Sequence, residues 1–194
     1  MKFLEKSFNE TDVEWVTLDK VARVKTGQSV SKKKIISNPG IYPVINSGRE
    51  PLGYINEWNT ENNPIGITTR GAGVGSVTYQ EGKYYRGNLN YSVSIIDNEQ
   101  LYVRYLYHLL LNMQPEIQNI CTFQGIPALN ASSLKKLEIP IPPLPVQQEI
   151  VRILDKFTEL TAELTAELTA ELTARQKQYE YYRDLLLDFP RPGN

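Results

Sequence analysis

The chain has 194 residues, of which 41% are hydrophobic and 22% charged, with a formal net charge of −1. That composition describes a folded globular protein large enough to bury a real core, and it excludes disorder, a collagen-like repeat and a disulfide-stapled mini-domain. The start, Met1-Lys2-Phe3-Leu4-Glu5-Lys6, has no apolar run of signal-peptide length and no stretch of about 18 apolar residues follows, so a cytoplasmic protein without membrane spans is expected.

In chain order, the first feature is a basic window at residues 20–49, holding Lys20, Arg23, Lys25, Lys32, Lys33, Lys34 and Arg49 with no acidic residue. Such a window can present a positive field to a polyanion or form a solvated loop, and charge alone leaves both open. Short β-rich runs follow at Ile41-Tyr42-Pro43-Val44-Ile45, Ile65-Gly66-Ile67-Thr68-Thr69, Gly75-Ser76-Val77-Thr78-Tyr79, Tyr91-Ser92-Val93-Ser94-Ile95-Ile96 and Leu137-Glu138-Ile139. Helix is predicted over 101–113, with Leu101, Tyr105 and Leu109 on one face, and around Leu134 after a cap at Ser132 or Ser133. The absence of a βαβ rhythm predicts an α+β fold with an irregular, twisted sheet over residues 1–144.

Four prolines in Ile139-Pro140-Ile141-Pro142-Pro143-Leu144-Pro145 predict an extended boundary and then a restart. From Val146 to Asp188 there is neither proline nor glycine, and Pro145 suits a helix start, so one long helix is predicted over 145–189, followed by an unstructured tail at 190–194. Its apolar seam runs through Val146, Ile150, Ile153, Phe157, Leu160, Leu164, Leu168 and Leu172, then Tyr179, Tyr182 and Leu186. The centre consists of three identical Thr-Ala-Glu-Leu units over 161–172. Each four-residue step turns a helix by about 400°, so successive leucines advance by about 40°. A helix of this length, about 65 Å, exceeds the width of a globule of 145 residues, so the seam is expected to need a partner helix, and a second copy supplies a two-fold solution.

Chemistry-bearing motifs are few. Arg70-Gly71-Ala72-Gly73-Val74-Gly75 lacks the third glycine spacing and following helix of a dinucleotide site, and reads as a glycine-rich hairpin turn. No P-loop, nucleophile elbow or metal-ligand cluster occurs; the lone Cys121 and lone His108 make neither an internal disulfide nor a Cys/His zinc site. What remains is a set of cationic and amide side chains in turns: Arg49, Arg70, Lys83, Arg86, Asn88 and Gln124, with Tyr85 beside them and Lys32, Lys33 and Lys34 in the basic window. Arginine grips guanine with two hydrogen bonds, asparagine or glutamine does the same for adenine, and lysine neutralises phosphate, so these ten residues are the candidates for contact with duplex DNA. Tyr79 and Tyr91 alternate with apolar residues and are assigned to the sheet.

Trp15-Val16-x-Leu18, Pro43-Val44-Ile45-Asn46-Ser47-Gly48, the hairpin from Arg70 to Tyr79, Gln124-Gly125-Ile126-Pro127-Ala128-Leu129-Asn130, and the proline segment followed by Gln147-Gln148-Glu149-Ile150 together resemble the specificity subunit of type I restriction-modification enzymes over residues 13 to about 188. The Thr-Ala-Glu-Leu units are similar to spacer repeats of some members. Members usually carry two target recognition domains and two long helices, whereas this chain has one of each, so the resemblance implies a half-length form. It further implies a non-catalytic DNA-recognition subunit without cofactors of its own, a homodimer reading an interrupted palindrome. Methyltransferase subunits that modify adenine and a motor-nuclease restriction subunit would be its partners. The competing reading is a coiled-coil interaction protein whose globule binds another protein or RNA.

Overall fold

The computed structural model describes residues 13–48 and 50–189. Arg49 and the tail at 190–194, both subjects of expectations above, lie outside the described residues. The chain divides into two compact units, one through Val151 and one from Arg152.

The first unit opens with β1 (Glu14–Thr17), α1 (Leu18–Val21) and β2 (Ala22–Thr26), the last two formed within or beside the basic window. In β2, Ala22 and Val24 are buried while Arg23 and Lys25 face outward, the two-residue alternation of a half-buried strand. Lys32, Lys33 and Lys34 start a helix, α2 (Lys32–Ser37), capped by the Ser31 hydroxyl, which accepts from the Lys34 N–H. The predicted strands appear as β3 (Pro39–Ile45), β5 (Ile65–Thr68), β6 (Val77–Tyr79), β8 (Asn90–Ile95) and β9 (Glu138–Ile141), with the two-residue strands β4 (Tyr54–Ile55) and β7 (Tyr85–Arg86) added. The predicted helix becomes α3 (Val103–Asn112), continued by α4 (Gln114–Asn119). The next, α5 (Ala131–Lys135), is capped at Asn130 rather than at Ser132 or Ser133, which lie inside it.

The irregularity has a definite form: a four-stranded sheet in the order β2-β8-β5-β6, a three-stranded one in the order β4-β3-β7, and the pair β1-β9. The pair β1-β9 places Trp15 opposite Pro140, so the proline segment lies in a two-stranded edge where its missing N–H is tolerated. The main core joins Ile65, Ile67 and Val93 of the large sheet to Leu106 and Leu110 of α3, Ile117 of α4 and Leu134 of α5. A smaller core beneath the three-stranded sheet consists of Val44, Ile55 and Tyr85, with Val30 and Ile35 packed on it.

Arg86, expected at a base edge, lies inside instead, with 3% of its surface exposed. Its Nη1 donates to Asn90 Oδ1 and to the Tyr91 carbonyl at 3.0 Å, and its Nη2 to the Asn63 carbonyl at 2.7 Å and the Tyr84 hydroxyl. Its backbone bonds the Asn59 amide in both directions, and its carbonyl accepts from the Gln28 N–H. Burial lowers the guanidinium pKa and pushes the Tyr84 phenol up to about 12. Tyr85 is likewise interior, its ring in the smaller core and its hydroxyl donating to the Ser29 carbonyl. Both side chains are buried and join β7 to its neighbours, in place of the exposed positions that base contact was expected to need.

The last helix, α6 (Leu144–Leu187), has 44 residues. Its start belongs to the globular unit. Val146 and Val151 are buried there, Ile150 packs on the main core, and Gln147 is wholly buried. Val146 and Ile150, placed in the partner-facing seam by spacing, are therefore spent on the chain's own core. Gln147 binds both sides of the joint: its Oε1 accepts from the Tyr102 N–H at 2.8 Å, and its Nε2 donates to the Gln100 and Pro142 carbonyls at 2.9 and 2.8 Å.

In the second unit the helix is exposed from Lys156 onward, with Ile153 and Asp155 half-buried before it. Leu160, Leu164, Leu168 and Leu172 are 46–69% exposed, and Phe157, Tyr179, Tyr182 and Leu186 are exposed too. Thr158, Thr161, Thr165, Thr169 and Thr173 each donate their hydroxyl to the carbonyl four residues earlier, at 2.7–3.0 Å. The polar atoms of this face are satisfied within the helix, leaving threonine methyls and leucines outward.

Two stability effects follow from these bonds. Gln147→Leu strands one N–H and two carbonyls in the joint and is expected to cost about 2–4 kcal/mol in urea unfolding without a change in slope. The Tyr84 and Tyr105 phenols are both raised by burial to about 12, against about 10 in an unfolded chain. A raised folded-state pKa gives stability that is complete below the unfolded value and lost as pH rises through the folded one. The unfolding midpoint should thus hold steady up to about pH 10 and fall between about 10 and 12, less steeply in Tyr105→Phe.

Candidate nucleic-acid interface

Two clefts share Thr26, at the end of β2. The first, of about 300 Å³, is lined by Arg70, Asn88 and Asn130 together with Thr69, Leu89, Tyr91, Ala128 and Leu129. Arg70 is the one charged residue in that lining, and no carboxylate opposes it. The second, of about 250 Å³, is lined by Lys25, Gln28, Asn59, Thr60, Glu61, Asn63, Arg86 and Ser92.

Arg70 is exposed at the start of the glycine-rich hairpin between β5 and β6. The glycines of this segment are tied down by backbone hydrogen bonds. Gly75 donates to the Thr68 carbonyl, Val74 to Gly71 and Ser76 to Gly73, all within 3.0 Å. Gly71 and Gly75 adopt φ of +89° and +79°, where a side chain is strained, and a Cβ on Gly75 would strike Gln118 of α4. A second hairpin braces the first: Thr122 and Ala128 exchange backbone hydrogen bonds, Gly71 donates to the Pro127 carbonyl, and Leu129 donates to the Thr69 carbonyl. Arg70 is thus an exposed guanidinium on a fixed backbone, and among the described residues its side chain has no hydrogen-bonding or ionic partner. The reason for Asn88's position is the neighbouring Arg86, whose anchoring fixes Gly87; a Cβ on Gly87 would overlap the Asn46 side chain. Asn46 Oδ1 accepts from the Leu89 N–H at 2.9 Å, and Asn88 itself is exposed.

The ten predicted DNA-facing residues separate accordingly. Arg70 and Asn88 meet in one cleft, and exposed Gln124 stands on the bracing hairpin. Lys32 and Lys33 are exposed on α2. Lys34 is not free for phosphate: its Nζ pairs with Glu57 and sits 4.8 Å from the Tyr85 ring centre, and the Glu57 hydrogen bond raises its pKa. Lys83 lies 3.8 Å from Glu61 and 4.6 Å from the Trp58 ring centre. Tyr85 and Arg86 are interior, and Arg49 is outside the described residues. Sequence reasoning missed Thr26 and Asn130 in the cleft lining; neither has a motif that separates it from an ordinary turn or cap residue. Among the described residues, no group of three or more His, Cys, Asp or Glu is placed to hold a metal ion, and no helix is long and apolar enough to cross a membrane.

Comparison with known proteins gives this geometry a context. Residues 10–174 match the family model described as the type I restriction modification DNA specificity domain. The specificity subunit of the type I restriction enzyme EcoR124I/EcoR124II of Escherichia coli is 34% identical over an alignment of 206 positions, covering 96% of this chain and 51% of that protein. A Mycoplasma pneumoniae chain, assigned provisionally as the N-terminus of a type I specificity subunit, is 35% identical and is covered over 92% of its length by 87% of this chain. The crystal structure of the type I restriction-modification S subunit from M. genitalium superposes with a TM-score of 0.72 at 25% identity, over 89% of this chain and 45% of that one. The chain spans about half the length of the larger relatives it matches. By the extent of that match, the chain belongs to the type I restriction modification DNA specificity domain family.

Proposed function

We propose that the chain reads a DNA half-site for a type I restriction-modification system, and that two copies pair through α6 to read an interrupted palindrome. The observation that carries the first part is the cleft where Arg70, Asn88 and Asn130 converge on rigid loops without a carboxylate. A fixed guanidinium and two amides offer the bidentate donors and acceptors that distinguish guanine and adenine in the major groove. Arg23, Lys25, Lys32 and Lys33, all exposed, supply charge to neutralise phosphates. In this reading the chain performs no catalysis: methyltransferase subunits that modify adenine and a motor-nuclease subunit assemble on it and bring their own cofactors, in the cytoplasm.

The exposed seam supports the pairing. Ile153, Phe157, Leu160, the three repeat leucines, Tyr179, Tyr182 and Leu186 present apolar surface along the second unit. An antiparallel second copy covers it symmetrically and closes the assembly at two chains. The two recognition domains then lie at opposite ends of the pair, and bases between the half-sites go unread.

Selection of binding sites from random duplex DNA tests the whole reading: an interrupted palindrome supports it, and no enrichment overturns it in favour of a protein- or RNA-binding module. Arg70→Ala should cost about 1–3 kcal/mol on the selected site and relax preference at one position of each half-site, with unfolding unchanged. Lys32→Gln with Lys33→Gln should weaken all sequences equally and reduce the salt slope by about 0.9 for every phosphate left without its lysine, doubled in a dimer. Lys34→Gln should instead act on stability.

For the helix, Leu164→Lys with Leu168→Lys should give monomers by light scattering, at micromolar concentration, that no longer prefer the selected site. Deleting residues 165–168 shortens each helix by about 6 Å. With duplex DNA rising about 3.4 Å per base pair, the selected gap should contract by one or two base pairs while the flanking sequences stay the same.

A further inference from the structure

The bracing hairpin carries a feature that the cleft does not explain. Its tip exposes two large apolar side chains, Phe123 at 63% and Ile126 at 72%, on either side of Gln124 and Gly125. A soluble domain gains nothing by itself from holding a phenyl ring and a branched aliphatic group in water, and a loose loop would let them fold back onto the surface. This loop is held open. Thr122 donates to the Ala128 carbonyl at 2.8 Å, Ala128 returns the bond at 3.0 Å, and the Thr122 hydroxyl adds a third at 3.2 Å. Gly125 reverses the chain at φ +87°, with open space around it, and the base of the hairpin is tied to Thr69 and Gly71, on either side of Arg70.

We propose that this tip is an A·T-reading element, in which Gln124 pairs with adenine and Phe123 and Ile126 pack against thymine methyl groups in the major groove. The thymine 5-methyl is the apolar group that the bases present there, while a primary amide matches the donor and acceptor of adenine. One short loop thus displays both halves of A·T recognition next to an arginine suited to guanine. The adjoining cleft lining has no acidic residue, which suits a polyanion lying against both loops. The inference rests on the DNA-reading proposal and adds to it the chemistry of the bases read and two residues that read them.

The test uses the full chain and the half-site selected from random DNA. Each thymine of that site is replaced singly by deoxyuridine, which removes one methyl and keeps every hydrogen bond. At one or more positions the wild type should bind about fourfold more weakly. Phe123→Ala and Ile126→Ser, both at exposed positions and checked by thermal unfolding, should bind the thymine site more weakly and lose the distinction between thymine and uracil at those positions. Wild-type binding indifferent to every such replacement overturns the inference, as does a variant that weakens binding yet keeps the full thymine preference. Either outcome leaves sequence-specific binding standing; failure of the wild type to select any site removes the underlying proposal instead.

Discussion

The interior arginine sets the terms for the rest of the globular unit. A buried guanidinium is costly to dehydrate, and Arg86 has no carboxylate among its hydrogen-bond partners, so neutral groups must surround it on several sides at once. Those groups come from β8, from the segment around Asn63 and from the tyrosine two residues earlier, and the backbone of Arg86 holds Asn59 and Gln28. The side-chain and backbone bonds of this one residue therefore tie together β8, the segment from Asn59 to Asn63 and the chain at Gln28. Gly66 lies against this network so closely that a Cβ there would overlap Asn90, Thr78 and the guanidinium itself. The segment that follows, Gly87-Asn88, inherits its position from that arrangement.

Arg70 and Arg86 show how far a sequence can be read. Each precedes a glycine, and both carry the same chemistry, so a rule based on residue type treats them alike. What separates them is the chain before them. Tyr84 and Tyr85 bring buried aromatic surface that draws Arg86 inward, whereas Arg70 leaves a buried strand for a glycine-rich reversal. The same ambiguity explains the lysines, since the partners of Lys34 and Lys83 are glutamates more than 20 residues away in sequence, a distance that local patterning does not span. Features governed by periodicity or by proline were legible: the strands β3, β5, β6, β8 and β9, the helix α3, the extended run of the proline segment and the long helix α6. The tiny strands β4 and β7 were not, because two residues have no period; the short β1 was missed too, and β2 and α2 were hidden by charges that resemble a solvated loop.

In the proposed reading, both sides of the cleft illustrate why a recognition surface need not be flexible. The two hairpins are individually short, but the bonds from Gly71 to Pro127 and from Leu129 to Thr69 make them one body. A side chain presented from such a body loses only its own rotamers on binding, so less of the interaction energy is consumed by ordering the loop. Small positional changes matter more on such a support, which favours discrimination between bases over tolerance of them.

The repeats in α6 have a symmetry of their own. A shift of four residues carries Thr, Ala, Glu and Leu onto themselves, and the threonine hydroxyls, each closed on its own helix, offer no cross-chain bond that would mark one alignment over the next. Within the repeat block, sliding a partner by one unit regenerates the same local packing, so successive alignments are nearly degenerate there. The degeneracy is broken only at the ends, where Phe157 on one side and Tyr179 and Tyr182 on the other have no counterpart four residues away. In the proposed pair the helix is then like a graduated scale whose zero is engraved elsewhere: the repeats supply equal divisions, and the flanking aromatics decide from which division the distance is counted.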